Sequence, residues 1–517
     1  MPRIIQIALL FLAPVSLWAQ LDKQGMPMNW DDMESTEVVS IWKDLPEYDL
    51  LTLQAEDLAD AVNKAIPYRF AYSTDVNIST SNSGRWTNLS NGDRVWMLGL
   101  RSSQAKALNV NFDVFDIPEG AKVYIYNNTR TDFIGPLQRS QNEDGGSLAT
   151  MPIDGNEIII EYFEPYSVRG DGDLVINKVA QSYKDLTADI VESCFYQLPE
   201  SSDNKMIGDL SSSVMLMLVD DGQRIATGTL INNTRHDGTP YFITSTAALM
   251  GDPESWVFVY GLNQKSCGVE NAGLDCWERA LSGAEVLVDD HASGIALLQI
   301  HDRPKTSWGV FYAGWKAQAP GNNHFVCIQQ AFGINQSISL FSGDLDPMNW
   351  QGYLAAPVNN WAIGNSFVGS IGSPLFTEQG ELVGVLVGGN SQCETQSADY
   401  FGLFSSVWNK MASILNPIED PRSSTEGFYP IFIDETNTAA ESMELFVFPN
   451  PASEFIYVQN QSDAGVIKVE FIDSAGRLTT IERPTLPMID IAAMVPGIYE
   501  LRIHTTEAVM NSRVIIQ

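Results

Sequence analysis

Gly369-Ser-Ile-Gly-Ser-Pro-Leu-Phe376 is the most informative stretch of this sequence, and Glu381-Leu-Val-Gly-Val385 and Gly388-Gly389 follow it. Glycine and proline mark turns, and the short apolar runs between them are typical of strands. Ile371 lies at the centre of the first stretch. Its branched hydrocarbon side chain has no proton to lose and no lone pair to offer, so this position cannot supply a nucleophile.

The stretch resembles the nucleophile loop of trypsin-fold serine proteases, in particular the bacterial lysyl endopeptidase family. That family has the pattern Gly-Ser-Ser-Gly-Ser-Pro-Leu-Phe, in which the second serine attacks the substrate. Thr227-Gly-Thr-Leu-Ile-Asn-Asn233 and Tyr241-Phe-Ile-Thr244 resemble two further segments of the same family. The resemblance implies a trypsin-like double β-barrel over residues 190–412.

The catalytic positions that the resemblance assigns all hold residues without the required chemistry. A serine protease needs a hydroxyl nucleophile, an imidazole base and a carboxylate that orients the imidazole. These positions fall on Ile371, Ala247 and Gly294, respectively. We therefore expect a degenerate triad and no catalytic residue.

Two neighbouring features bear on this alignment. Ala226 and Ala248 stand where the family carries a disulfide beside the catalytic histidine, so both ends of one bridge are replaced together. Asp289 and Asp290 lie a few residues before Gly294, and we expect them to be solvated loop acids rather than a shifted orienting carboxylate.

A peptide groove does not depend on the triad. In this fold a peptide substrate lies as an added strand along the segment before the last glycines, and main-chain hydrogen bonds hold it. The candidate groove residues are Leu386, Val387, Gly388 and Gly389. The alternative is that these four residues simply complete a strand and turn of the second barrel, and the sequence leaves both interpretations open.

The regions on either side predict two further β units and a linker. Within residues 21–185, a helical stretch around Ala55–Ala65 precedes the strands. From Gly84 onward, short runs alternate apolar and polar residues between glycine and proline turns, which predicts a β-sandwich. This sandwich resembles the propeptide-like domain of lysyl endopeptidases, although its composition fits a carbohydrate-binding sandwich equally well. Residues 413–442 have the proline-rich and acidic composition of a linker.

The C-terminal unit, residues 443–517, carries Leu445-Phe-Val-Phe-Pro-Asn-Pro451 and Gly497-Ile-Tyr-Glu-Leu501. It resembles the C-terminal sorting domain of the type nine secretion system in Bacteroidetes, a small β-sandwich. The resemblance implies export by the outer-membrane secretion machinery, and hence a secreted or cell-surface protein. The predicted fold class is all-β: an N-terminal β-sandwich, a trypsin-like double β-barrel and a small C-terminal β-sandwich.

Length, charge and the first residues limit the remaining functions. With 517 residues, the chain is expected to hold about three to four domains. Its 64 acidic and 30 basic residues give a net charge of -34, which argues against nucleic acid as a partner. Residues 1–20 have the basic start and apolar middle of a secretory signal peptide, with a small residue, Ala19, at a plausible cleavage point. We predict no transmembrane helix in the mature chain, because no later apolar run reaches about 18 residues.

The five cysteines of an exported chain allow two disulfides and one remaining thiol. The resemblance implies a bridge between Cys194 and Cys393; Cys267 and Cys276 would then pair locally and leave Cys327 free. We expect no metal site and no cofactor, because there is no close cysteine pair and the five histidines are scattered.

Three functional hypotheses follow. The first is a secreted pseudoprotease that binds a peptide or protein. The second is an active secreted lysyl-endopeptidase-like serine protease with an unconventional site. The third is a structural surface component or glycan-binding adhesin, in which the N-terminal sandwich carries the interaction.

Overall fold

The computed structural model describes most of the chain between residues 41 and 430 and the strands of the C-terminal unit. The described residues are 27, 41–142, 145–185, 194–196, 198, 204–261, 279–305, 308–319, 321, 323–331, 336–395, 397–430, 445–448, 452, 455–460, 466–473, 477–482, 488–505 and 509–516. The predicted signal peptide and the predicted pair Cys267 and Cys276 lie outside the described residues.

Residues 42–182 form two sheets that share one hydrophobic core. Their elements, with one short strand that joins another sheet, are β1 (Trp42–Asp44), α1 (Leu50–Ala59), β2 (Tyr68–Arg69), β3 (Ala71–Ser79), β4 (Arg85–Asn88), β5 (Arg94–Arg101), β6 (Ala107–Asp116), β7 (Lys122–Asn127), β8 (Phe133–Leu137), β9 (Leu148–Ala149), β10 (Ile153–Asp154), β11 (Glu157–Glu164) and β12 (Asp173–Ser182). The first sheet has the order β1-β5-β11-β7-β8 with β4 on β5, and the second has the order β10-β6-β12-β3 with β9 on β6. Alternate residues of both sheets, such as Ile158 and Ile160 on β11 and Leu108 and Val110 on β6, meet in the core.

The middle of the chain forms two larger sheets. Their elements are α2 (Lys205–Ser211), β13 (Val214–Val219), β14 (Arg224–Ile231), β15 (Tyr241–Ser245), β16 (Val257–Val259), β17 (Ala280–Ser282), β18 (Ala284–Asp290), β19 (Ile295–Ile300), β20 (Gly314–Lys316), β21 (Asn323–Gln329), β22 (Ser337–Gly343), β23 (Met348–Trp350), β24 (Tyr353–Val358), β25 (Pro374–Thr377), β26 (Glu381–Gly389), β27 (Asp399–Leu403), α3 (Phe404–Leu415) and β28 (Ser424–Thr425). The first sheet has the order β17-β16-β13-β14-β15-β19-β18, and β2 pairs with β14 at its side. The second sheet has the order β22-β21-β25-β26-β27-β24-β23, and β20 joins both β26 and β28.

Strand β13 has an entirely apolar sequence, Val214-Met-Leu-Met-Leu-Val219, and its position in the fold explains this. All six of its residues are buried. Leu216 and Leu218 belong to the core of the N-terminal sandwich, whereas Met215, Met217 and Val219 point into a core of the middle unit. Because both faces of the strand are covered, polar residues have no place on it.

The C-terminal unit is a small two-sheet structure. Its strands are β29 (Leu445–Phe448), β30 (Phe455–Asn460), β31 (Val466–Asp473), β32 (Leu478–Glu482), β33 (Met488–Asp490), β34 (Gly497–Thr505) and β35 (Val509–Ile516). They form a sheet β29-β30-β33 and a sheet β32-β31-β34-β35, and residues of both, including Ile456, Phe471 and Leu501, share one core.

The all-β fold class predicted from the sequence is confirmed. The domain boundaries stay predictions, and two elements cross them. Helix α3 extends to Leu415, past the boundary at 412, and β28 adds part of the predicted linker to a sheet of the middle unit. In the part of the chain that the structure describes, no helix is both long enough and apolar enough to cross a membrane.

Candidate functional site

The predicted nucleophile position is occupied by a buried apolar side chain in this structure. Ile371 is 0% exposed and belongs to an apolar cluster that also contains Ala226 and Ala248. Ala247, at the base position, is partly buried and packs against the same cluster. The backbone N–H of Thr227 donates to the Ile371 carbonyl at 2.9 Å, which fixes the turn against β14. The residues that would hold the nucleophile, the base and the missing disulfide therefore lie together in one apolar environment.

The carboxylate position is closed by its neighbours. Gly294 has φ +74°, and a Cβ built on it would lie 2.6 Å from Val387 Cγ1 and 3.0 Å from Tyr353 Cδ1. No ordinary side chain fits at that distance, and the backbone conformation itself favours glycine. The Gly294 carbonyl accepts a hydrogen bond from Thr246 N–H at 2.9 Å. The structure thus brings the three predicted positions together, and no carboxylate projects from the third.

Asp290 differs from the sequence prediction of a solvated loop acid. It is 6% exposed, and its carboxylate accepts hydrogen bonds from Lys410 Nζ at 2.6 Å and Ser293 N–H at 2.9 Å. Burial alone would raise the pKa of Asp290, but the hydrogen bonds from Lys410 and Ser293 outweigh it and hold the pKa below its ordinary value. The prediction was wrong because the partner of Asp290, Lys410, belongs to α3, and a residue so distant in sequence could not be recognised as a partner from the local pattern. The carboxylate caps the turn before β19 and neutralises a charge on α3.

The four predicted groove residues end strand β26, and one side of this end lies outside the sheet pairing. Gly388 and Gly389 pair with Tyr400 and Asp399 of β27. On the other side, β25 pairs with β26 only as far as Val385, and Leu386 exchanges hydrogen bonds with the 372–373 turn. Within the described residues, no strand pairs with this side of residues 387–389, which we call the groove edge.

A buried pocket lies beside the groove edge and was missed by sequence reasoning. Asp399, at 0% exposure, accepts hydrogen bonds from Trp361 Nε1 and Ser366 Oγ, both at 2.7 Å. Ser391 donates to the same carboxylate from its hydroxyl and, at 3.3 Å, from its backbone N–H. We call these four residues, Trp361, Ser366, Ser391 and Asp399, the Asp399 pocket. All four belong to the middle unit.

The Asp399 pocket holds the side chain of Lys64, which comes from the N-terminal part of the chain. Lys64 Nζ lies 3.2 Å from Asp399 Oδ1, 3.0 Å from Ser366 Oγ and 2.7 Å from Ser391 Oγ. An ammonium group has three donors, so all three are satisfied. Burial lowers the pKa of Lys64 below its ordinary value, and the negative charge of Asp399 opposes this effect only in part.

The segment 60–67, between α1 and β2, carries Lys64 to the pocket. It passes close to the groove edge, because a Cβ built on Gly388 would lie 3.0 Å from Ala65 Cβ. The same built Cβ would lie 2.5 Å from Trp350 Cη2, so Trp350 and Ala65 both pack closely against Gly388, which has no side chain. Trp350 in turn stacks on Tyr400 with ring centroids 4.4 Å apart. The absence of a side chain at Gly388 therefore leaves room for the 60–67 segment and for the stacked rings of Trp350 and Tyr400.

No local signal in the sequence points to this contact. Lys64 and Asp399 are 335 residues apart. Lys64 lies near the end of the stretch that the sequence predicts to be helical, and Asp399 is an acid at the start of strand β27.

The cysteine predictions are resolved in part. Cys194 and Cys393 form the disulfide that the resemblance implied. Cys327 is a buried free thiol, and burial raises its pKa well above the ordinary value. Among the described residues, no group of three or more histidine, cysteine or acidic side chains is arranged to hold a metal ion.

Comparison with known proteins identifies two parts of the chain. Residues 193–402 match the family model described as Lysyl endopeptidase, C-terminal domain. Residues 446–517 match the Secretion system C-terminal sorting domain. Both resemblances inferred from the sequence are thereby confirmed. The sorting-domain match indicates secretion or export to the outer surface, and it implies interaction with the secretion machinery.

Two solved structures are similar to part of this chain. One is the inactive form of a serine-to-alanine mutant of Rv3671c from M. tuberculosis H37Rv, with 14% identity and a TM-score of 0.29 over 43% of this chain and 97% of that one. The other is the apo MamO protease domain from Magnetospirillum magneticum, with 13% identity and a TM-score of 0.28 over 39% of this chain and 97% of that one. Both TM-scores are too low for either likeness to bear on what this chain does.

Proposed function

We propose that this protein is a secreted or cell-surface serine protease homologue that has no catalytic activity and binds a polypeptide in its groove. The burial of Ile371 in one apolar cluster with Ala226 and Ala248 carries the proposal. An alkyl side chain can neither attack a carbonyl nor transfer a proton. The lysyl endopeptidase match covers residues 193–402, and the sequence resemblance assigns Ile371 to the nucleophile position within that range.

The size of the catalytic loss makes residual turnover negligible. Removing the triad as a unit lowers turnover roughly a million-fold, and backbone donors alone retain only about a thousand-fold acceleration over water. Ser370 and Ser373 do not replace the nucleophile. Both are 0% exposed, and their hydroxyls donate to Gln329 Oε1 and to the Ser370 carbonyl, respectively.

Two features of the middle unit support binding of a polypeptide. The groove edge has no strand partner among the described residues, and adding a peptide as a further strand requires such an edge. Its residues are buried in this structure, where the 60–67 segment passes against Gly388. The Asp399 pocket beside it offers a buried carboxylate and two hydroxyls to an ammonium group. Together they favour a ligand with a lysine side chain.

Hydrolysis assays on the full chain test the absence of catalysis. Purified protein and its Ile371→Ala variant are incubated with a lysyl thioester and, separately, with a fluorophosphonate label. We expect the ester to be hydrolysed no faster with either protein than in buffer alone, and we expect neither protein to be labelled by the fluorophosphonate. Hydrolysis by the unmodified protein that the Ile371→Ala variant reduces would refute the proposal and revive the active-protease hypothesis.

A further inference from the structure

We propose that Lys64 is an internal ligand of the Asp399 pocket, so the chain closes its own binding site. A lysine side chain of another polypeptide then enters only when the 60–67 segment withdraws. This inference deepens the proposed function and rests on it. It names the residue of this chain that occupies the site and the element that regulates access.

The pocket is complete without the N-terminal part of the chain, apart from its cation. Trp361, Ser366 and Ser391 all orient the Asp399 carboxylate, and they come from the same unit as Asp399. A buried carboxylate is costly unless a positive charge accompanies it. Lys64 supplies that charge from a different unit, so a lysine from another chain can replace it without altering the pocket.

The shape of the site selects a lysine. Only 4% of Lys64 is exposed, so the pocket encloses the aliphatic stem as well as the ammonium group. Its three hydrogen-bond acceptors converge on one nitrogen, which matches the compact ammonium of lysine. An arginine would bring a planar guanidinium with five donors and would leave some of them unsatisfied.

The element that delivers Lys64 is weakly packed, which allows it to withdraw. Leu53 is the only buried residue of α1. Leu51 and Leu58 on this helix and Val62 after it are large apolar residues with 79%, 78% and 55% exposure. A segment with so few buried apolar contacts opens locally at a lower free energy than the sheets on which it rests.

Two anchors return the segment to the pocket after it opens. Asp57 on α1 pairs with Arg69 and Lys184, at 2.9 Å and 2.8 Å, and the pairing of β2 with β14 fixes the chain just after Pro67. A tethered ligand acts at an effective concentration on the order of millimolar. An external lysine peptide must compete with that concentration, so its apparent association constant equals the intrinsic constant multiplied by the fraction of time that the site is open.

Peptide binding to the full chain tests the competition. The probe is a fluorescent, capped Ala-Ala-Lys-Ala-Ala peptide, and the same peptide with norleucine at the centre is the ligand control. We measure fluorescence anisotropy with the unmodified protein, Lys64→Ala, Lys64→Ala/Asp399→Asn, and Lys43→Ala as a control lysine on β1. We expect Lys64→Ala to bind the lysine peptide at least about tenfold more tightly than the unmodified protein and Lys43→Ala. The double variant and the norleucine peptide should lose this gain.

Native lysine labelling provides a second measurement that needs no substitution. The unmodified protein is acetylated with a small amine-reactive ester, and peptide mass spectrometry gives the rate at each lysine. Lys64 should react at least about a hundredfold more slowly than Lys43, because opening must precede reaction. Equal labelling of the two lysines, or equal peptide binding by Lys64→Ala and the unmodified protein, would overturn the inference. Neither result involves hydrolysis, so these failures are distinct from failure of the non-catalytic proposal.

Discussion

Replacing Ile371 with serine tests whether the side chain at the predicted nucleophile position stabilises the core. The change restores the residue type that the lysyl endopeptidase pattern requires, but it removes most of a fully buried aliphatic side chain. Truncating a buried isoleucine to alanine size costs about 2–5 kcal/mol, since contacts are lost and a cavity remains. The serine hydroxyl enters an apolar cluster and adds up to about 1–3 kcal/mol if it finds no partner. We therefore expect Ile371→Ser to lower the free energy of unfolding of the middle unit by about 3–5 kcal/mol.

Thermal unfolding followed by calorimetry measures this loss. For a unit of this size, each 1 kcal/mol corresponds to a shift of about 2–4 °C, so the relevant transition should fall by at least roughly 6 °C. Ile371→Val should cost only about 0.5–1.5 kcal/mol. Ile418→Ser is the matched control, because Ile418 is 57% exposed and a surface change of this kind stays within about 0.5 kcal/mol.

The Ile371→Ser variant also tests whether a serine at this position is sufficient for ester hydrolysis. Ile371→Ser should not hydrolyse a lysyl thioester, because Ala247 cannot accept the serine proton. If Ile371→Ser were as stable as Ile418→Ser, the argument that this position is a packing site would be wrong. If the variant turned over the ester, a base would have to lie within reach of residue 371.

Two further predictions concern the carboxylate position and the anchor of α1. Gly294→Asp should destabilise the protein by about 1–3 kcal/mol more than the control Gly309→Asp in chemical denaturation. Both glycines have positive φ, but only a Cβ on Gly294 would lie 2.6 Å from Val387 Cγ1. Equal losses of stability in the two variants would contradict the steric argument. Burial raises the pKa of Asp57, but hydrogen bonds and charges from Lys184, Tyr183 and Arg69 outweigh it and hold the pKa below its ordinary value. The stabilisation from Asp57 is therefore complete above about pH 4 and is lost as the pH falls through the lower, folded-state pKa. Proteolytic cleavage within residues 50–67 should accelerate in acid in the unmodified protein, and an unchanged acid response in Asp57→Asn would exclude Asp57 as its cause.

The sequence was sufficient for the features that repeat locally or follow a family pattern. Strands such as β6 and β11 could be predicted because their apolar residues alternate or run between clear turns. Ala247, Gly294 and Ile371 were assigned to the triad because each stands in a recognisable phrase, and the loss of the triad stays a prediction. The structure places Ala247 and Ile371 at one apolar cluster, and the Gly294 carbonyl accepts a hydrogen bond from the neighbouring Thr246. The bridge between Cys194 and Cys393 could be inferred for the same reason.

The features that the sequence did not predict depend on pairs of residues that are far apart in the chain. Asp290 was expected to be solvated because its partner Lys410 comes from a helix 120 residues later. The contact between Lys64 and Asp399 leaves no periodic or compositional trace, since each residue is ordinary in its own segment. Charge complementarity of this kind becomes visible only when the fold has placed both groups in one pocket.

The core of the N-terminal sandwich has a consequence for maturation. Leu216 and Leu218 of β13, with Ile225, Val257 and Val259, complete that core from the middle unit. A cut in the connection between the two units would therefore nick the polypeptide without freeing either fragment, because separation would expose an apolar surface on each. The nicked protein should migrate as one particle under native conditions and separate into two pieces on denaturation without reduction, because the bridge between Cys194 and Cys393 lies within the middle unit.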